Sequence, residues 1–287
     1  MNYESLHLTS GGVNGYAILS SIYVLNKMKC LNNINKYIGE SVGSIISTLL
    51  ILKYNSLDIF KVLISNDIED IYLNNEFQKN NIILNLLNNY GLSDSKSVER
   101  LIILFFKERG LKPNITFKEL YQFNPIELNI IASNITKNKL EIFSSKTTPD
   151  ISVIFAIKAS CTIPLIFKPM YYKNNILIDG GFFSNFKNPL INNKTLTIKL
   201  QIENKNNVNN LVDYIKLLVN SITINNTLNR LNTLNIRLKN VGVNFNLDKE
   251  FKKDIFNCGI LHTYSFIKFR NLIYKIFINW KKLVILS

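Results

Sequence analysis

The chain has 287 residues, of which 47% are hydrophobic, so a sizeable core is expected and wholesale disorder is excluded. No apolar run approaches the roughly 18 residues that span a bilayer, and the opening "MNYESLHLTSGG" lacks the positive region that precedes a secretory signal, so neither feature is predicted. The formal net charge is +14, from 34 basic and 20 acidic residues. Codon bias in an AT-rich genome is one explanation of this charge, and attraction to an anionic surface is the other.

The three cysteines and two histidines restrict the possible chemistry. Cys30, Cys161 and Cys258 are odd in number and scattered, which favours a reducing compartment over a disulfide framework. They do not have the spacing of metal ligands, so no metal site is predicted. No basic run interleaved with aromatic residues resembles a nucleic-acid motif, and no nucleic-acid partner is expected.

The first part of the chain alternates strand and helix patterns. Strands are predicted at 3–9 and 36–39, and helices with apolar spacing at 15–28 and 41–54. This order indicates a parallel sheet with helices on its faces. Residues 56–110 are predicted to form further helices.

The rest of the chain adds strands and ends in helix. The predicted strands are 127–134, 139–145, 176–179 and 196–202, and the predicted helices are 116–121 and 151–160. Beyond an asparagine-rich loop near 204–210, the remainder is predicted to be mainly helical. We therefore predict one α/β domain with a helical insertion and a helical C-terminal tail.

The stretch "IGESVGS" at 38–44 places Ser41 between Gly39 and Gly43. Glycines at these positions fit a tight turn, and they also fit a nucleophile elbow, in which a serine stands on a strained strand-to-helix turn. The elbow would place Ser41 at the N-terminus of an apolar helix, whose dipole favours developing negative charge. Because G-x-S-x-G also arises by chance, the neighbouring motifs must decide.

A glycine loop, "TSGGVNG" at 9–15, lies between the first predicted strand and helix. Such a loop exposes backbone N–H groups that can bind a phosphate or an oxyanion. It matches neither the dinucleotide-binding fingerprint nor the P-loop. An oxyanion hole and a simple tight turn remain as its two interpretations.

A base for the serine can be sought at Asp179 or His262. Ser41, Asp179 and His262 follow the chain order of an α/β-hydrolase triad, but the elbow follows only the second predicted strand and His262 lies on a predicted helix face. His7 lies inside the first strand and is expected to be a core or sheet residue. Asp179 ends a strand before two glycines, so its carboxylate can approach another backbone closely, although Asp-Gly is also a common turn.

Taken together, the glycine loop, the elbow and "DGG" at 179–181 resemble the three markers of the patatin-like phospholipase family, in the family's order. The resemblance covers residues 5 to about 200 and is weakest at 55–110. Further segments that look like those of the family are 115–123, 140–150, 156–169 and 176–189.

The resemblance implies a mostly parallel central sheet flanked by helices and a Ser-Asp dyad without histidine. Carried over, Ser41 is the nucleophile, Asp179 is the base, and the backbone N–H groups of Gly11, Gly12 and Val13 form the oxyanion hole. It implies a lipid acyl hydrolase of phospholipase A type, which cleaves fatty-acyl esters of phospholipids through an acyl-enzyme and requires no cofactor.

Two positions depart from the family's pattern. Ser10 stands where the glycine loop usually begins with the first of three glycines. Asn14 stands where the family often has arginine, which puts a preference for a charged headgroup in doubt. Neither departure removes a catalytic group.

We predict a catalytic domain over 5–200, with an insertion at about 55–125, and a helical extension over 201–287. The stretch 265–286 mixes basic with aromatic and aliphatic residues, so it either packs on the core or lies at a membrane surface. The expected partner is a phospholipid or another acyl-ester lipid, and the expected location is the cytoplasm with peripheral binding to membranes. The alternatives are a neutral lipid esterase or lipase on the same scaffold and a catalytically silent, basic membrane-surface protein.

Overall fold

A computed structural model describes residues 2–65, 82–183, 187–203, 230–239 and 248–285, with the side chains of all of these except 65, 82–85, 202, 203, 230, 239 and 274–285. The chain folds around a central sheet with helices packed against it. The strands are β1 Ser5–Leu8, β2 Lys36–Glu40, β3 Gly91–Ser93, β4 Glu127–Asn134, β5 Lys139–Ser144, β6 Leu165–Phe167, β7 Met170–Tyr172, β8 Asn175–Ile178, β9 Thr195–Glu203 and β10 Thr233–Lys239.

The described helices lie between and after these strands. They are α1 Gly15–Lys27, α2 Val42–Ile51, α3 Ser56–Ser65, α4 Ile82–Asn89, α5 Lys96–Glu108, α6 Phe117–Phe123, α7 Val153–Ser160 and α8 Lys249–Ile285. Helix α6 begins with a capping box in which Thr116 and Glu119 bond each other's backbone N–H groups. None of the helices that the structure describes is both long enough and apolar enough to cross a membrane.

The central sheet has eight strands in the order β10-β9-β1-β2-β4-β8-β7, and β5 also pairs with β4. The strands from β10 to β4 pair in parallel, whereas β5, β8 and β7 join by antiparallel pairing. The prediction of a mostly parallel sheet flanked by helices is confirmed. Parallel pairing brings the carboxyl ends of β1, β2 and β9 to one edge of the sheet, and the glycine loop and Ser41 follow β1 and β2 there.

The prediction that the chain is mainly helical after the asparagine-rich loop is wrong at β10. In this strand Leu234, Ile236 and Leu238 are buried, whereas Asn235 and Arg237 are exposed. The alternation has the period of two that is typical of a half-buried strand. The helical prediction for 56–110 is likewise wrong at β3, a short strand that pairs in parallel with β6. Residues 66–81 of this predicted helical region, and the asparagine-rich loop at 204–210, lie outside the described residues.

Helix α8 packs one face against α1 and leaves the opposite face exposed. Gly259 allows this close packing, since a Cβ there would lie 2.4 Å from the Ala17 carbonyl oxygen and 2.1 Å from Ser20 Oγ. The inner face buries Ile255, Phe256, Thr263 and Ile267. One of the two predictions for the stretch 265–286, packing on the core, is therefore met at Ile267. The predicted domain boundary at residue 200 stays a prediction.

Candidate active site

Ser41 occupies the turn between β2 and α2. Its backbone has φ 52° and ψ −124°, a left-handed conformation that is strained for a residue with a side chain. The residue is only 4% exposed, and helix α2 begins directly after it. Strain at a strand-to-helix turn is the feature that the elbow interpretation requires.

The glycines on both sides of Ser41 are explained by close backbone approaches. A Cβ on Gly39 would lie 2.5 Å from the Cα of Ser44, and a Cβ on Gly43 would lie 2.1 Å from the carbonyl oxygen of Leu8. Side chains at these positions would force the turn away from β1. The two glycines therefore let helix α2 start close to the sheet, with Ser41 at its tip.

Ser160, at the end of α7, braces this turn, and sequence reasoning gave it no role. The backbone N–H of Ser41 donates to Ser160 Oγ at 2.8 Å, and Ser160 Oγ donates to the carbonyl oxygen of Ile131 in β4 at 2.5 Å. Ser160 is fully buried. Its only sequence signal was its place in a family-like segment, because 119 residues separate it from Ser41.

Asp179 follows β8 and is 8% exposed. The backbone N–H of Gly181 donates to its Oδ1 at 2.8 Å, while its buried Oδ2 has no hydrogen-bond partner among the residues that the structure describes. Gly180 allows the turn to lie against β4, since a Cβ there would lie 2.1 Å from the carbonyl oxygen of Ile131. Ile131 thus contacts both Ser160, whose hydroxyl accepts the Ser41 N–H, and the turn that carries Asp179.

Burial raises the pKa of Asp179 to about 6. The Ser41 side chain and the Gly181 N–H oppose this rise because they stabilise the carboxylate, and the charge of Glu40 adds to it. Ser160 and Ile131 each contact both the turn of Ser41 and the turn of Asp179, and the effect of Ser41 on this pKa agrees with that arrangement. The turns that carry the predicted nucleophile and the predicted base therefore lie side by side.

The glycine loop presents unpaired backbone donors beside Ser41. Among the described residues, no acceptor is found for the N–H groups of Gly11, Gly12 or Val13, whereas the Asn14 N–H donates to the Gly11 carbonyl at 3.1 Å. Gly12 has φ 55° and open space where a side chain would point, and it lines the same cavity as Val13 and Ser41. Gly11 instead packs against the side chain of Leu200, whose Cδ1 would lie 2.3 Å from a Cβ at this position.

An apolar cavity, partly open to solvent, adjoins Ser41. Its walls are side chains of α1, α2, α3 and α5 together with residues that follow α7, and the hydroxyl-bearing residues among them are Ser41 and Tyr16. The deeper walls include Leu49, Ile59, Leu63 and Leu101. Residues of the weakly matching stretch 55–110 thus form part of the cavity.

Cys161, which follows α7, lines this cavity next to Ser41. Its thiol lies 3.9 Å from the Ser44 hydroxyl. Burial and the charge of Asp179 raise the pKa of the thiol, so it stays protonated and unreactive.

The two histidines lie away from the Ser41 hydroxyl. His7 is buried in β1, where its ring bonds Glu40 at 3.1 Å and Thr197 at 3.3 Å, so the prediction of a sheet residue is confirmed. His262 lies on α8, where its ring contacts the Cys258 carbonyl oxygen at 2.9 Å and the Arg237 N–H at 3.4 Å. It does not line the cavity beside Ser41. The structure therefore does not assemble the alternative Ser41–Asp179–His262 triad.

Asn14, which replaces the family's frequent arginine, is fully buried and does not line the cavity. Neither polar atom of its side chain has a hydrogen-bond partner among the described residues.

Within the described part of the chain, no group of three or more His, Cys, Asp or Glu side chains could hold a metal ion.

The parallel sheet and the serine on its strand-to-helix turn place the chain among α/β proteins of the type that carries a site at the carboxyl edge of the sheet. A family model described as patatin-like phospholipase matches residues 6–191. This match covers well over half of the chain, and the chain therefore belongs to the patatin-like phospholipase family.

Two viral proteins are similar in sequence. The probable lipid hydrolase 463L of Invertebrate iridescent virus 6 is 35% identical over 185 residues, which is 64% of this chain and 61% of that protein. The uncharacterized protein R571 of Acanthamoeba polyphaga mimivirus is 26% identical over 280 residues, which is 90% of this chain and 91% of R571. The chain thus spans about three fifths of the first relative and nearly all of the second.

Two solved structures share the fold at low sequence identity. VipD from Legionella pneumophila superimposes with a TM-score of 0.60 at 17% identity, over 94% of this chain and 67% of VipD. The type III effector ExoU superimposes with a TM-score of 0.50 at 16% identity, over 94% of this chain and 54% of ExoU.

Proposed function

We propose that this protein is a lipid acyl hydrolase that cleaves fatty-acyl esters of phospholipids with a Ser41–Asp179 dyad. The observation that carries the proposal is the apolar cavity that adjoins Ser41, with Gly12 and Val13 on its wall and their N–H groups unpaired. The apolar walls suit an acyl chain, since each CH₂ group buried against them contributes about 0.8 kcal/mol. The family's name and the name of the relative 463L support a lipid substrate.

Acylation begins when Ser41 Oγ attacks the ester carbonyl carbon. Asp179 takes the hydroxyl proton, which its raised pKa favours once the serine is engaged. The N–H groups of Gly12 and Val13, with Gly11 as the third predicted donor, stabilise the negative charge on the tetrahedral oxygen. When the bond to the leaving alcohol breaks, Asp179 returns the proton to that alcohol and an acyl-Ser41 remains.

Deacylation repeats these steps with water. Asp179 takes a proton from the water as its oxygen adds to the acyl carbon, and the same N–H groups hold the second oxyanion. The bond between the acyl carbon and Ser41 Oγ then breaks, Oγ recovers the proton, and the fatty acid is released.

The outer face of α8 supports peripheral binding of the enzyme to a membrane surface. This face exposes Leu261, Tyr264, Phe269 and Leu272, with Lys268 among them. Apolar side chains flanked by lysines suit the headgroup region of an anionic leaflet, as does the net charge of +14. The three cysteines are free thiols, in agreement with the cytoplasmic location proposed here.

A panel of substrates tests the proposed activity. The purified protein is assayed with phospholipid vesicles, monoacylglycerol and triacylglycerol, and Ser41→Ala serves as the inactive control. The proposal is supported if the wild type releases fatty acid from phospholipid and Ser41→Ala does not. A preference for neutral glycerides would support the esterase alternative, and equal release by Ser41→Ala would contradict the dyad.

Vesicle co-sedimentation tests the membrane surface. Binding is expected to rise with anionic lipid, to fall with salt, and to weaken when Leu261 and Leu272 are both replaced by glutamate. Both side chains are exposed, so the variant should fold normally. Binding that ignores salt and survives this variant would show that the outer face of α8 does not contact lipid.

A further inference from the structure

Ser10, the residue that replaces the first glycine of the family's loop, lies against the turn that carries Asp179. A Cβ placed on Gly181 would lie 2.1 Å from Ser10 Oγ and 3.2 Å from Asp179 Oδ1. The Ser10 side chain therefore fills the place that a side chain on Gly181 would take, and its hydroxyl lies beside the carboxylate.

Both of these polar groups can accept a further hydrogen-bond partner. Within the described ranges, the Ser10 hydroxyl has no hydrogen bond, and it is partly exposed, so water can reach it. Asp179 Oδ1 accepts the Gly181 N–H, but Oδ2 has no partner. A water molecule bound between a hydroxyl and a carboxylate has both a donor and an acceptor, which is what an ordered water requires.

We propose that the Ser10 hydroxyl holds the water that hydrolyses the acyl-enzyme. This inference rests on the proposed function, because it needs an acyl group on Ser41. Ser10 donates to the water oxygen or accepts one of its protons, and the other proton points to Asp179. The water oxygen then adds to the acyl carbon while Asp179 takes that proton. When the bond from the acyl carbon to Ser41 Oγ breaks, the proton passes to Oγ and the free acid leaves.

The role of Ser10 is confined to deacylation. In acylation, the hydroxyl that Asp179 deprotonates belongs to Ser41, which the elbow already positions. In deacylation, the nucleophile is a free molecule, and holding it in place lowers the entropic part of the barrier. Loss of the Ser10 hydroxyl should therefore slow one half-reaction and spare the other.

Pre-steady-state kinetics with a p-nitrophenyl ester separates the two half-reactions. The burst of nitrophenolate reports acylation of Ser41, and the steady-state rate that follows reports deacylation. In Ser10→Ala and Ser10→Gly the burst rate should stay within about twofold of the wild type, whereas the steady-state rate should fall about tenfold. Intact-mass spectrometry during turnover should show more acyl-enzyme in both variants than in the wild type.

Thr9→Val is the matched control, because it removes a hydroxyl from the neighbouring position of the same loop. Thr9 Oγ1 contacts the Ser10 carbonyl and the Leu200 N–H, each at 3.4 Å, and thus serves the loop itself. Any effect of this variant should be equal on both phases.

The proposal is wrong if both phases fall together in Ser10→Ala, which would indicate a structural role in the loop, or if the steady-state rate is unchanged. A wild-type burst that persists in Ser41→Ala would instead contradict the proposed dyad.

Discussion

The backbone N–H of Ser41 donates to the hydroxyl of Ser160 at 2.8 Å, and that hydroxyl in turn donates to the carbonyl oxygen of Ile131. The bond fixes the strained turn at its most distorted residue. A Cβ on Gly180 would lie 3.1 Å from the same hydroxyl, so Ser160 also adjoins the turn that carries Asp179. Ser160 therefore contacts both Ser41 and the turn of Asp179, the proposed nucleophile and the proposed base.

Ser160→Ala is expected to lower kcat by about 10- to 100-fold, since the strained Ser41 backbone loses its partner and the dyad distance becomes less defined. KM should change little, because the cavity walls are untouched. Steady-state kinetics and a melting curve provide the measurement.

Ser21→Ala is the matched control for this variant, since Ser21 is also a buried serine whose hydroxyl bonds carbonyl oxygens, that of Ala17 within α1 and that of Gly259 in α8, neither of which lines the cavity. It should cost about 1 kcal/mol of stability without loss of kcat. Equal kinetic losses in both variants would mean that Ser160 has no special role.

The pH dependence of kcat/KM should show an acid limb near pH 6, where burial places the pKa of Asp179. The carboxyl must be ionised to accept the serine proton, so activity falls as the pH drops through this value. A pH profile on an activated ester gives the limb directly. A limb near pH 4 would indicate a solvated carboxylate of ordinary pKa.

Asp179→Asn should abolish activity and stabilise the fold at neutral pH. The pKa is raised in the folded state from 3.8 to about 6, so the carboxyl contributes stability below pH 4 that is lost as the pH rises to 6. An uncharged amide avoids this loss, and the gain in the free energy of unfolding should be about 1–3 kcal/mol near pH 7.

Urea denaturation near pH 7 and near pH 4 measures this difference. The gain should vanish at the lower pH, where the wild-type carboxyl is already protonated. A variant less stable than the wild type at neutral pH would show that the ionised carboxylate is not penalised by burial.

Gly12→Val should lower kcat by about 10²–10³ with little change in KM, if the loop donates to the oxyanion. The side chain would meet no neighbour within 4 Å, but φ 55° is unfavourable for a β-branched residue, so the N–H groups of the loop would turn away. Steady-state kinetics on an activated ester reports both constants.

Gly110→Val provides the comparison, because Gly110 has φ 67°, equally open space and a position after α5, away from the cavity. Gly110→Val should destabilise the fold through the same backbone strain at positive φ, but it should not lower kcat. Ordinary turnover in Gly12→Val would indicate that the loop is only a turn.

The parts of the site that the sequence predicted are those where a glycine marks a close approach of the backbone. Gly39 avoids a clash within its own turn, and Gly43 and Gly180 avoid clashes with the carbonyl oxygens of Leu8 and Ile131, so these glycines mark Ser41 and Asp179 in the sequence. Ser160 and the walls of the cavity depend on segments that are distant in the chain, and a single sequence contains no signal for such contacts.

Strand β10 was missed for a different reason. Its alternation of Leu234, Ile236 and Leu238 with polar residues is a strand signal, but it is short, and the helical pattern that follows it is long and strongly apolar. Strand β9 was predicted at 196–202, but its parallel pairing with β10 cannot be identified from local periodicity.

Labelling with a fluorophosphonate probe, which reacts with activated serine hydroxyls, tests the dyad most directly. The wild type and His262→Ala should label at similar rates, Asp179→Asn should label about 10³-fold more slowly, and Ser41→Ala should not label. Labelling that persists in Ser41→Ala, or that is lost in His262→Ala as completely as in Ser41→Ala, would contradict a Ser41–Asp179 dyad.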